Sequence, residues 1–197
     1  QSGWLTHQPA KIAGINCALA RVSFAGELGW EIHASTEDIP ALYDAVLGAG
    51  AKPFGMFALD SLRLEKGYRT WKGDLYTDYT VLEGGMERFV RWQKESFVGK
   101  PAMQAEKQQG VKKRFATMNI NAGDFDAPFM STIWKGDEVV GETTSGGWGH
   151  RVNKSIALGV VKTDLRKPEQ NLRSKFTADA TRLPFTLINR FGTLRTK

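Results

Sequence analysis

Apolar and polar positions alternate in two short runs near the start of the chain. Arg21 to Phe24 and Trp30 to Ser35 read as strands, with Gly26 and Gly29 supplying the turn of a hairpin within residues 17 to 34. A period of two places Trp30 and Ile32 on one face and Glu31 and His33 on the other. The period then lengthens. Ser35 or Thr36 offers an N-cap, Glu37, Asp38 and Pro40 follow, and Ile39, Leu42, Tyr43, Val46 and Leu47 recur at helical spacing until Gly48 and Gly50. A second helix is expected from about Met56 to Lys66, ended by Gly67, with Leu59, Leu62 and Lys66 along one stripe. Asp60 and Arg63 stand three apart on its polar face, close enough to pair.

From Tyr68 to Leu82 the pattern is irregular and rich in aromatic residues and aspartate. Trp71, Asp74, Tyr76 and Tyr79 either line a cleft or pack a long loop. A turn at Phe97-Val98-Gly99-Lys100-Pro101 leads into a polar helix reaching about Gln109, and Gly110 to Lys113 is the expected boundary between portions 1–110 and 111–197. Beyond it, Arg114 to Ile120, Thr132 to Lys135, Glu138 to Gly141 and Ile156 to Lys162 read as short strands, the middle two joined by a turn at Lys135-Gly136-Asp137. The expected class is α+β: a mixed half-domain, then a small all-β barrel or sandwich.

Composition adds little to this pattern. With 197 residues, 41% hydrophobic and 24% charged, the chain reads as globular with room for a sizeable core. No apolar run approaches the roughly 18 residues of a membrane helix. No signal peptide opens the chain, and Gln1-Ser2-Gly3-Trp4 looks like a cut inside a longer polypeptide. Cys17 is the only cysteine, which precludes an internal disulfide and fits a reducing compartment, the cytoplasm or a mitochondrial matrix. The net charge is +6, yet Arg173 to Lys197 holds six basic residues against Asp179 alone, so the preceding body is nearly neutral. Nucleic acid is therefore not an expected partner.

His7, His33 and His150 with one cysteine give no zinc spacing, and Glu31 with His33 makes two ligands without a third, so no metal is expected. Gly26 and Gly29 lack the third glycine and following helix of a dinucleotide loop. Thr143-Thr144-Ser145-Gly146-Gly147 lacks the leading glycine of a nucleophile elbow; it reads as a tight turn whose N–H groups could face an anion. No catalytic triad is present, so the chain is expected to contribute binding residues. A strand-borne Glu31 beside an aromatic wall suits a flat heterocycle with N–H groups; its bland alternative is the solvated face of an edge hairpin.

Three segments in consistent order carry a resemblance: Phe24-Ala25-Gly26-Glu27-Leu28-Gly29-Trp30-Glu31-Ile32, the stretch Gly55 to Gly67, and Thr144-Ser145-Gly146-Gly147. Together they resemble the tetrahydrofolate-binding aminomethyltransferase superfamily, which includes the glycine cleavage T-protein. Leu64-Glu65-Lys66-Gly67-Tyr68-Arg69-Thr70-Trp71-Lys72-Gly73-Asp74 is more similar to the C-terminal folate-binding portion of dimethylglycine and sarcosine dehydrogenases.

The resemblance implies part of the T-protein-like folate-binding fold followed by a small β-barrel. It implies that Glu31 accepts hydrogen bonds from the pterin ring, with Phe24 and Trp30 as packing walls and Trp148 contributed by the barrel. Phe24 stands where the family usually has tyrosine, and Leu59 where many T-proteins have an arginine. The family's catalytic aspartate lies in the preceding half of the fold, so no catalytic residue is assigned and that N-terminal half becomes an expected partner. The closing barrel strands are not legible after about Asn171, and Arg173–Lys197 reads as an atypical basic tail, either divergent or in an altered reading frame.

The implied function is transfer of a one-carbon unit, from an iminium derived from an N-methyl amine, to tetrahydrofolate. FAD would sit on a separate domain that oxidises the amine. One alternative is a glycine-cleavage T-protein working with a lipoyl carrier. The other is a non-enzymatic folate-binding RNA-modification factor, whose Lys-Gly-Cys-(Tyr/Phe)-x-Gly-Gln-Glu motif does not occur.

Overall fold

A computed structural model describes residues 3–121 and 125–165, together with the backbone of Asn171–Lys175 and Arg182–Ile188. The chain divides into two compact units, Gln1–Lys66 and Gly67–Lys197.

The first unit holds an antiparallel sheet in the order β1 (His7–Ile12), β2 (Ile15–Ala20), β3 (Glu31–His33). Ala13 and Gly14 join β1 to β2 with φ of 50° and 85°, the doubly left-handed geometry that matches the twist of a two-residue hairpin. Strand β1 was not foreseen, and β2 lies earlier than expected. Arg21 to Phe24 is not a strand: pairing with β3 stops at Ala20, and the Val22 N–H turns back onto the Ala20 carbonyl at 2.9 Å. Trp30 accordingly precedes β3 and shares no strand face with Ile32. Within β3 the expected alternation holds, with Glu31 and His33 exposed around a half-buried Ile32.

Helix α1 (Ile39–Gly48) begins after Asp38, later than Ser35 or Thr36, because the Ser35 hydroxyl donates to the Asp38 carboxylate at 2.7 Å instead of capping a helical N–H. Helix α2 (Met56–Glu65) ends where expected, with Lys66 at its C-cap. Arg63 donates from Nε to Asp60 Oδ1 at 3.1 Å, but Arg63 is buried rather than on a solvated face.

The second unit opens with the long loop from Gly67, passes helix α3 (Lys100–Gln109), and enters a closed six-stranded barrel. Its strands are β4 (Lys113–Ile120), β5 (Thr132–Lys135), β6 (Glu138–Gly149), β7 (Lys154–Lys162), β8 (Asn171–Lys175) and β9 (Arg182–Ile188). The order β4-β7-β6-β5-β8-β9 closes when β9 pairs antiparallel with β4. Alternation along β4 turns Ala116, Met118 and Ile120 inward to meet Ile133, Val140, Ala157 and Val161 in the barrel core.

The barrel departs from two expectations. Strand β6 runs through Gly149, so Thr143 to Gly147 lies in the ladder and is not a tight turn. Closing strands also exist beyond Asn171, as β8 and β9. The remainder of the tail, 176–181 and 189–197, lies outside the described residues.

Candidate functional site

Cross-strand pairing fixes what stands beside Glu31. His7 opposes Ala20 and Ala20 opposes Glu31, while Pro9 opposes Ala18 and Ala18 opposes His33. Directly opposed residues share a face, so His7, Pro9, Glu31 and His33 line one side of the sheet. Leu19, paired with Ile32, lies on the other. The small Ala18 and Ala20 keep the ground between the polar groups low. Glu31 Oε2 lies 3.5 Å from His33 Nε2, with both side chains more than half exposed, and the His7 ring centroid is 6.5 Å from that of His33. Among the described residues no three His, Cys, Asp or Glu side chains are placed to share a metal ion.

The loop from Arg21 to Trp30 delivers the aromatic groups. It turns at Ser23-Phe24-Ala25-Gly26, where the Gly26 N–H donates to the Ser23 carbonyl at 3.3 Å and Gly26 takes φ of +74°. Phe24 is half-buried. Trp30 is 48% exposed, and the Arg21 guanidinium lies 5.8 Å from its ring centroid, a cation–π contact that steadies the indole. Glu31, Trp30 and Phe24 thus belong to one loop and strand of the first unit. Trp148 belongs to β6 of the second unit, where it is 37% exposed and opposite Ser155.

Sequence reasoning missed a buried polar centre in the second unit. The Asp74 side chain is fully buried. Its Oδ1 accepts from Thr144 Oγ1 at 2.5 Å and Ser145 Oγ at 2.7 Å, and its Oδ2 accepts from the Thr70 N–H at 2.8 Å. The two hydroxyls come from adjacent residues because β6 carries a bulge between Thr143 and Ser145. A bulge re-aims a side chain that simple alternation would send away. Thr143 itself serves the neighbouring loop, donating to the Pro128 carbonyl at 2.7 Å and accepting from the Ser131 N–H at 3.0 Å.

A second tie lies further along the same loop. Tyr79 donates to Glu142 Oε1 at 2.5 Å, and the Tyr76 ring meets that of Tyr79 edge-on at 5.1 Å between centroids. Of the two readings for this segment, packing a long loop describes Asp74 and Tyr79. Trp71 alone of the four named residues projects far into solvent, at 73% exposure.

Burial, reinforced by the hydrogen bond to Glu142, raises the Tyr79 phenol far above its ordinary value of 10.0. The folded chain therefore keeps this proton at a pH where the unfolded chain has released it. Stability from this group is complete below about pH 10 and declines as pH rises further, by about 1.4 kcal/mol per pH unit. Urea melts between about pH 10 and 11.5 should show a shallower decline for Tyr79→Phe than for the unsubstituted chain. Equal slopes would remove Tyr79 as the cause.

The model for the GCVT N-terminal domain matches residues 1–94, and that for the glycine cleavage T-protein C-terminal barrel domain matches residues 113–190. The chain belongs to the glycine cleavage T-protein family of aminomethyltransferases. It is 36% identical over 174 residues to the mitochondrial dimethylglycine dehydrogenase of Homo sapiens, covering 86% of this chain and 20% of that protein. It is 37% identical over 155 residues to the aminomethyltransferase of Thermosynechococcus vestitus, covering 79% of this chain and 42% of that protein. A crystal structure of glycine cleavage system aminomethyltransferase T from Bartonella henselae shares its fold, with a TM-score of 0.79 at 21% identity, over 87% of this chain and 48% of that one.

The chain thus spans a fifth of one curated relative and under half of the other. The α+β class with a C-terminal barrel stands as read. The barrel match continues to residue 190, through the segment that looked divergent. No helix among the described residues is long and apolar enough to cross a membrane.

Proposed function

We propose that this chain is the tetrahydrofolate-binding part of a one-carbon transferase acting with a flavin-dependent dehydrogenase of N-methyl amines. The observation that carries the reading is Glu31. Its carboxylate is more than half exposed on the polar face of a sheet, and the partly exposed indole of Trp30 precedes it directly in the chain. A pterin needs this pair: an apolar wall for its flat ring and a fixed anionic acceptor for its N–H groups. The donor set fits. Glu31 would orient the ring, and Trp30 and Phe24 would pack against it.

Tetrahydrofolate, when bound, supplies the nitrogen that accepts the one-carbon unit. The residues of this chain bind and orient, and no catalytic residue is assigned among them. The dehydrogenase branch is supported by similarity to dimethylglycine and sarcosine dehydrogenases, at 36% identity for the human and mouse proteins respectively. FAD would belong to another domain of such a protein. We place the divide between folate-binding portion and barrel domain at 110/111.

Glu31→Gln keeps the shape and removes the charge. A charge-assisted hydrogen bond is worth about 1.5 to 3 kcal/mol, so tetrahydrofolate affinity should fall about tenfold to a hundredfold. Titration followed by tryptophan fluorescence or calorimetry reads the change. An unaltered Kd would take the pterin role away from Glu31.

A further inference from the structure

We propose that Lys66 is a positioning residue for the Arg21–Trp30 loop; its consequence for folate rests on the function proposed above. Lys66 stands at the C-cap of α2, its N–H donating to the Arg63 carbonyl at 3.1 Å. From there its side chain crosses Gly26, forty positions earlier in the sequence. A Cβ added to Gly26 would lie 2.3 Å from Lys66 Cγ and 2.8 Å from both Cδ and Cε. Three methylenes are therefore laid directly against the glycine, leaving no space for any side chain there. Beyond them, Nζ lies 3.6 Å from Glu27 Oε1.

The strap matters because of what it holds. Gly26 closes the turn that includes Phe24, and the same loop ends at Trp30, the residue before Glu31. The turn's own hydrogen bond, Gly26 N–H to the Ser23 carbonyl, is long at 3.3 Å. Lys66 ties the turn to the end of a helix, which is a rigid element. Two of the three segments that identify the family thus meet in one contact.

The chemistry also says which part of Lys66 counts. The ammonium–Glu27 pair is partly exposed, with Glu27 48% accessible, and such pairs contribute little. The stem is the part laid on Gly26, in a side chain that is 26% exposed as a whole. An apolar residue of equal length should therefore hold the loop, and a short one should not.

The test uses the full chain with Lys66→Ala and Lys66→Met. Hydrogen exchange without ligand is expected to speed about tenfold across residues 22–29 in Lys66→Ala and less than about threefold in Lys66→Met, with β6 and β7 unchanged. Tetrahydrofolate affinity should follow the same order, with a loss of about tenfold for alanine and rescue by methionine. Loop exchange unaltered in Lys66→Ala overturns the proposal, as does methionine failing where alanine fails. Equal folate affinity in all three proteins overturns the positioning of the site. If the unsubstituted chain binds no tetrahydrofolate, the functional reading falls, and the exchange pattern alone still decides whether Lys66 holds the loop.

Discussion

Replacing Asp74 with alanine is expected to lower the stability of the second unit by about 4 kcal/mol, the largest effect of any single side chain considered. The reason is the state of what remains. Asp74 Oδ1 accepts from Thr144 and Ser145, and Oδ2 accepts from the Thr70 N–H, all at 2.8 Å or less. Thr144 and Ser145 are themselves buried. Alanine therefore strands the Thr144 hydroxyl in a place water does not reach, at about 1 to 3 kcal/mol for an unsatisfied group, and removes the acceptor of Ser145 Oγ and the Thr70 N–H. Asp74→Asn tests the chemistry more finely. Its amide oxygen can keep the two hydroxyls, but its NH₂ would face the Thr70 N–H, donor against donor. About half the alanine cost is expected. Thr144→Val in the Asp74→Ala background should add far less than it does alone, because its acceptor is already gone. Urea unfolding of the unsubstituted chain and the four variants decides it. Full additivity would show that Asp74 does not act through Thr144.

The origin of this centre shows what a sequence can and cannot reveal. Helix α2 was legible because Leu59, Leu62 and Lys66 repeat at its period and Gly67 follows directly, all local signals. Strands β4, β5 and β7 were legible for the same reason, each having apolar alternation or an apolar run between turn residues. Strand β1 hid because His7-Gln8-Pro9-Ala10-Lys11-Ile12 carries a proline and little apolar alternation, a pattern tolerated only at a sheet edge, where it lies. Asn171–Lys175 has a single apolar residue, Leu172, and becomes a strand through its partners on the barrel ladder.

Glu31 was legible as an exposed, strand-borne carboxylate because exposure follows from alternation over three residues. The Asp74 centre was not, since its hydroxyl donors lie 70 and 71 positions away. A Thr-Thr-Ser-Gly-Gly run reads locally as a turn. Only the bulge, a property of the paired ladder, turns two adjacent hydroxyls to one acceptor. The buried Arg63 makes a similar point: the Asp60 pairing is a three-residue spacing and was legible, but burial is set by what packs over it.

The glycines of the same run lead to the second large expectation. Gly146→Ala should destabilise the barrel by about 3 kcal/mol, at the upper end for an added methyl group. A Cβ at Gly146 would lie 2.1 Å from the carbonyl oxygen of Ala127 and 2.9 Å from its carbonyl carbon. Both atoms are backbone, so no rotamer change relieves the clash. The segment carrying Ala127 would have to lift from β6, and Ala127 is itself buried in the core cluster. Lifting it strains the neighbouring bonds that Thr143 makes to Pro128 and Ser131. The glycine is thus required by close approach of backbone, which a ladder position explains and an anion-binding turn would not.

Gly48→Ala supplies the opposite sign within the same protein. It ends α1, and an added Cβ there meets nothing within 4 Å. Alanine in a helix is favoured over glycine by about 0.5 to 1 kcal/mol, so this change should be mildly stabilising. Urea melts followed with hydrogen exchange in β6 and β7 separate the two outcomes. A Gly146→Ala chain as stable as Gly48→Ala would mean that the 125–131 segment does not press on β6 as described.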